Sequence, residues 1–130
     1  MTKLQNKYEN DSAAVKRLNE ANIAYKKNAD DDIYQDALVK RFEFTFELCW
    51  KTLREFMLDQ GYLMEIASPR GVFALAYQEG ILHDESLWLD MLESRNLSSH
   101  DYGRQAAEPL SAKISSHYLT ALTEQRKSIS

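Results

Sequence analysis

Arg95, His100 and Tyr102 are the side chains whose types and spacing could do chemistry together. A guanidinium is permanently charged and grips phosphate oxygens in a paired geometry. An imidazole, with a reference pKa of about 6.5, exchanges protons near neutral pH. A phenol donates or accepts a hydrogen bond and can accept a transferred group. On an unbroken helix Arg95 and His100, five residues apart, would face different ways, so they meet only if the helix ends between them. Ser98, Ser99 and Gly103 mark such an end, and a helix C-terminus favours the protonated imidazole. Taken singly, each of the three is more often structural than functional.

Helices must position these groups. Leu4, Tyr8, Val15, Leu18 and Tyr25 recur at three-and-four spacing along a first long helix. Asp11 and Asn22 interrupt its stripe, as polar residues that fix register or reach a site. A second helix is predicted over 33–60 and ends at Gly61. Its apolar residues, Leu38, Val39, Phe42, Phe44, Leu48, Cys49, Trp50, Leu53 and Phe56, cover more than half its circumference. Asp36, Lys40, Glu43, Glu47, Lys51 and Arg54 form the remaining polar strip, read as a solvated face with Glu47 and Lys51 spaced for an ion pair. A helix so widely apolar needs cover on two sides, from its own bundle and from a second copy of the chain.

Ser68 and Pro69 open a short third helix that closes near Gly80. Asp84 caps a fourth, and the stripe of Leu87, Trp88, Met91 and Leu92 continues into Arg95. An arginine on such a face is costly unless it meets a carboxylate or a phosphate. Arg41, on the apolar arc of the second helix, poses the same choice between an internal acid and a bound anion. A fifth helix starts near Pro109 and carries Leu110, Ile114, Tyr118, Ala121 and Leu122. The expected fold is all-α: one domain over 1–130, an up-and-down antiparallel bundle of four to five helices, homodimeric.

Composition agrees. Hydrophobic residues make up 44% and charged residues 28%, with only four glycines and two prolines, too few turn formers for many short strands. The lone cysteine, Cys49, has no intrachain partner and lies among apolar neighbours. No basic-plus-apolar leader or long uncharged stretch is present, which points to the cytoplasm. A net charge of −4 tells against a broad nucleic-acid-coating surface, so any such chemistry must be local. There is no glycine-rich phosphate loop. Neither His83 nor His117 has metal partners at ligand spacing, so no metal and no cofactor are expected.

The stretch Arg95-Asn96-Leu97-Ser98-Ser99-His100-Asp101-Tyr102 resembles the R-x-x-x-x-H-x-Y signature of HEPN-domain proteins associated with minimal nucleotidyltransferases. The run Arg41 to Leu53, the turn Ser68-Pro69-Arg70 and the segment Trp88 to His100 are similar to the branch described as nucleotidyltransferase substrate-binding proteins, so that the resemblance spans about Tyr25 to Tyr118. It implies a dimer that gathers arginine and histidine from both copies in one cleft, with a cognate minimal nucleotidyltransferase as partner. His100 would be the general acid and base of a metal-independent endoribonuclease, and Arg95 its phosphate clamp. Tyr102 would be the adenylylation site, and Arg70, in the family turn, would edge the cleft. Arg104, by its nearness to the motif in sequence, and Arg41, from its apolar arc, are further candidates for substrate phosphate. The alternative is a noncatalytic subunit that binds a substrate or a nucleotide for the separate nucleotidyltransferase, so that RNA or a nucleotide is the expected ligand beside the protein partners. A purely structural dimer is the third reading.

Overall fold

The computed structural model describes residues 2–62, 68–99 and 106–129, all in helices and their connections. Helix α1 spans Lys3–Lys27, α2 Asp32–Asp59, α3 Pro69–Gln78, α4 Glu85–Ser99 and α5 Ala107–Lys113. A π-helical turn, Ile114–Tyr118, then leads straight into α6, Leu119–Ile129. The expected single fifth helix is thus a continuous run with a wider turn inside it.

The ends of these helices follow from local chemistry. At α1, Thr2 and Gln5 cap each other's backbone N–H groups. Asp31 accepts from the Ile33 amide at the start of α2, and Asp84 from the Leu87 amide at the start of α4. Ser68 caps α3, with Pro69 in its first turn. Gly61, at φ 93°, closes α2, where the Tyr62 amide reaches back to the Met57 carbonyl.

Helix α2 is the hub of the bundle and touches every other helix. Leu38, Phe42, Phe46, Cys49, Leu53 and Met57 are fully enclosed along it. Each large apolar side chain of this kind contributes about 1.5–3 kcal/mol when removed from water. Phe46 sits at the centre of an aromatic cluster, with ring centroids 5.9 Å from Phe42, 6.0 Å from Phe73 and 6.3 Å from Trp88. The expected cover on two sides is only partly supplied within one chain, because Phe44 remains 63% exposed. Among the described residues no helix is long and apolar enough to cross a membrane.

Both polar interruptions of the α1 stripe are buried, Asp11 completely. The Cys49 thiol donates to Asp11 Oδ1 at 2.8 Å, tying α2 to α1. Burial pushes the Asp11 carboxyl up to about 6, against the pull of the Cys49 bond and of the Arg126 charge. Because the folded pKa lies above the unfolded one, Asp11 contributes its full stability below about pH 4 and loses it as pH rises to about 6. Asp11→Asn should remove that dependence. In urea titrations, its stability relative to the parent chain is expected to climb by about 2–3 kcal/mol between pH 4 and pH 7; equal shifts at both pH values would contradict the assignment.

Candidate functional site

Arg95 extends the inward stripe of α4 beyond the buried Trp88, Met91 and Leu92, so its side chain reaches α2 and not open solvent. It is 24% exposed, and its Nη2 lies 3.3 Å from Glu47 Oε2. The guanidinium carbon stands 5.9 Å from the centre of the Phe46 ring, within cation–π range. Glu47 is itself held in place: the Trp50 indole N–H donates to Oε2 at 3.1 Å and Lys51 Nζ is 3.2 Å from Oε1. Partial burial raises the Glu47 carboxyl, but the bonds from Trp50 and Lys51 and the charge of Arg95 outweigh it and leave the pKa below the ordinary carboxylate value. The group is therefore an anion at neutral pH.

One turn along α2, Glu43 Oε2 accepts from the Ser98 hydroxyl at 2.9 Å. Glu43 and Glu47 thus meet Ser98 and Arg95 as two rungs that fasten the last turn of α4 to α2. A cavity of about 440 Å³ opens here, lined by Lys40, Glu43, Phe44, Glu47, Arg95 and Ser98. The polar strip expected to be solvated is in part an inter-helix contact. Sequence reading missed Glu43, Glu47 and Ser98 as site residues. The signal that could have found them was spacing, four apart on α2 for the two acids and three apart on α4 for Arg95 and Ser98.

Arg41 lies on the other flank of Phe44. Its Nη1 donates to the Arg17 carbonyl of α1 at 2.8 Å, and it borders a separate cavity of about 300 Å³ with Ala14, Arg17, Lys40, Phe44 and Thr45. Lys40 and Phe44 are common to both cavities, but Arg41 does not line the one that Arg95 lines. Arg70 is exposed in the first turn of α3. His100, Tyr102 and Arg104 lie outside the described residues. His83 and His117 are exposed, and among the described residues no group of three or more His, Cys, Asp or Glu side chains is arranged to hold a metal ion.

The wall of the Arg95 cavity sets Glu43 and Glu47 against Arg95, so an anion reaches the guanidinium only by displacing or sharing the Glu47 contact. Lys40 adds a second cation to its wall.

The family model described as "nucleotidyltransferase substrate binding protein like" matches residues 6–130. The chain belongs to this family. Among solved structures, a Thermus thermophilus protein is 29% identical, with a TM-score of 0.72 over 92% of this chain and 94% of that one. The Shewanella oneidensis HEPN toxin, tri-AMPylated and in complex with its MNT antitoxin, shares 19% identity at a TM-score of 0.76, covering 99% and 98% of the two chains. A toxin–antitoxin complex with AMP-PNP gives 19% and 0.75 over 99% and 98%. At that identity the likeness is one of fold: this chain and those toxins share a helical bundle. No curated protein sequence matches the chain.

Proposed function

We propose that this member of the substrate-binding family is a HEPN-type, metal-independent endoribonuclease toxin of the cytoplasm, working as a homodimer and restrained by a cognate minimal nucleotidyltransferase. The observation that carries the reading is Arg95, a guanidinium set at the edge of a cavity by Glu47 and Phe46, with His100 five residues and Tyr102 seven residues further along the chain. In this reaction the ribose 2′-hydroxyl attacks the adjacent phosphorus and the bond to the 5′-oxygen breaks. His100 takes the hydroxyl proton and returns one to the leaving oxygen. Arg95 stabilises the charge that develops on the phosphoryl oxygens. The products are a cyclic phosphate and a 5′-hydroxyl.

Dimerisation supplies the missing cover of α2. Phe44 on α2, 63% exposed, lines the cavity beside Arg95, so apposing this face in two copies would bury it and bring two Arg95 side chains together. Regulation follows from chemistry on Tyr102. Its phenol oxygen attacks the α-phosphorus of a nucleoside triphosphate on the partner, pyrophosphate leaves, and the adenylyl phosphate then occupies the region that substrate phosphate needs.

The test is cleavage of a mixed RNA pool by the purified chain in EDTA, wild type against His100→Ala. Cleavage that persists in EDTA, yields cyclic phosphate ends and disappears in the variant is the expected result. A folded dimer that leaves the RNA intact would turn the reading to the second one, a noncatalytic subunit presenting a substrate or nucleotide to the nucleotidyltransferase. The observation favouring that reading is the pair of cavities sharing Lys40 and Phe44, each edged by an arginine.

A further inference from the structure

Arg41 is partly buried against α1, and among the described residues no carboxylate answers its charge. Its Nη1 donates to the Arg17 carbonyl at 2.8 Å. A carbonyl accepts a hydrogen bond but does not neutralise a cation, and a guanidinium carries five N–H donors, so charge and donors are both left over. The backbone around it is held still. The Thr45 hydroxyl is shared between the Arg41 carbonyl at 2.6 Å and the Ala14 carbonyl at 3.3 Å, so this stretch of α2 is tied to α1 twice. A donor fixed in this way loses little freedom when a ligand arrives.

Two further cations, Arg17 and Lys40, line the cavity of about 300 Å³ that Arg41 borders. Both are exposed, and among the described residues neither has an ion-pair partner. No described carboxylate lines this cavity, whereas Glu43 and Glu47 line the one at Arg95. Three cations around one cavity, in a chain of net charge −4, make a local positive field that draws anions. The uncharged lining residues offer nothing to a base edge, because Ala14 and Phe44 are apolar and the Thr45 hydroxyl is engaged. Such a site grips backbone phosphate without reading sequence.

Lys40 and Phe44 belong to both cavities. Arg41 precedes Glu47, the partner of Arg95, by six residues, about 9 Å along the α2 axis. A strand can touch both cavities at once, which a single nucleotide does not need to do. We propose that Arg17, Lys40 and Arg41 form a subsite for a neighbouring, uncleaved backbone phosphate of the single-stranded RNA whose scissile phosphate lies at Arg95. The identity of the strand rests on the ribonuclease reading; the unanswered positive charge does not.

Fluorescence anisotropy with a labelled 2′-O-methyl RNA oligonucleotide tests it over a salt series, since blocking the nucleophile separates binding from cleavage. Arg17→Glu, an exposed change, should weaken binding at least about tenfold. It should also lower the slope of log K against log salt by about 0.7, the value for one phosphate contact on a single strand. Arg17→Lys, which keeps the charge, should bind like wild type. Lys26→Glu makes the same change of charge elsewhere on α1, outside the cavity, and should alter binding by less than about twofold because solvent and salt screen it. Equimolar ATP should not displace the oligonucleotide. No binding by the wild type, equal weakening by Arg17→Glu and Lys26→Glu, an unchanged salt slope in Arg17→Glu, or displacement by equimolar ATP would each overturn the subsite, whether or not the wild type cleaves unmodified RNA in EDTA. A wild type that shows the Arg17 effect but cleaves no RNA would end the ribonuclease reading alone.

Discussion

Arg95→Ala is expected to lower RNA cleavage by about 100- to 1,000-fold, the range typical for removing one preorganised group that stabilises charge in a transition state. The loss should fall on the chemical step and not on folding. Glu47, deprived of Arg95, keeps the Trp50 and Lys51 contacts, so it is not left as a bare buried charge. Arg95→Lys retains the charge without the planar fork that can hold Glu47 and a phosphate together, and it should recover little of the rate. Single-turnover cleavage of a labelled oligonucleotide, with circular dichroism to verify the helices, measures both. Wild-type rates in a folded Arg95→Ala protein would remove Arg95 from the mechanism.

The second large effect concerns two phenylalanines of α2. Phe46→Ala should cost about 3–5 kcal/mol, as for other enclosed aromatic side chains, out of a total that is about 5–15 kcal/mol for most domains. Phe46 holds together Phe42, Phe73 and Trp88 and also lies beneath Arg95, so the loss opens the core and loosens the site at once. Phe44→Ala, two residues earlier, should change folding stability of the single chain by no more than about 0.5 kcal/mol, since it is a surface substitution. Its effect should appear in association instead. Urea unfolding at low concentration and sedimentation over a concentration series separate the two. A large unfolding penalty for Phe44→Ala at dilutions where the chain is monomeric would show that the two residues have been assigned the wrong environments.

Most of the fold was legible because periodicity and caps agreed. The Asp84 and Ser68 caps, Gly61 and the apolar stripes give the helices nearly at their observed bounds. The π-helical turn was not legible: Leu110, Ile114, Tyr118 and Leu122 keep an unbroken fourfold spacing, which hides a local widening of the backbone. For the site, the inward direction of Arg95 followed from the α4 stripe. Its partner did not. Glu47 sits in a strip with a ready-made i,i+4 neighbour, Lys51, and spacing within α2 gives no sign that another helix also claims it. Arg41 illustrates the reverse, an arginine on an apolar arc that is satisfied by a backbone carbonyl of α1, a partner no pattern of side chains announces.

The enclosure of Cys49 has a practical sequel. The chain carries one sulfhydryl, sealed at 0% exposure beneath α1 and bonded to Asp11, and burial raises its pKa well above that of a free thiol. An alkylating reagent can reach it only when the α1–α2 seam parts, so its labelling rate is a native clock for that opening. The molecule comes with its own reporter of how often the hairpin breathes, and any ligand or partner that clamps the bundle will be read as a slower clock.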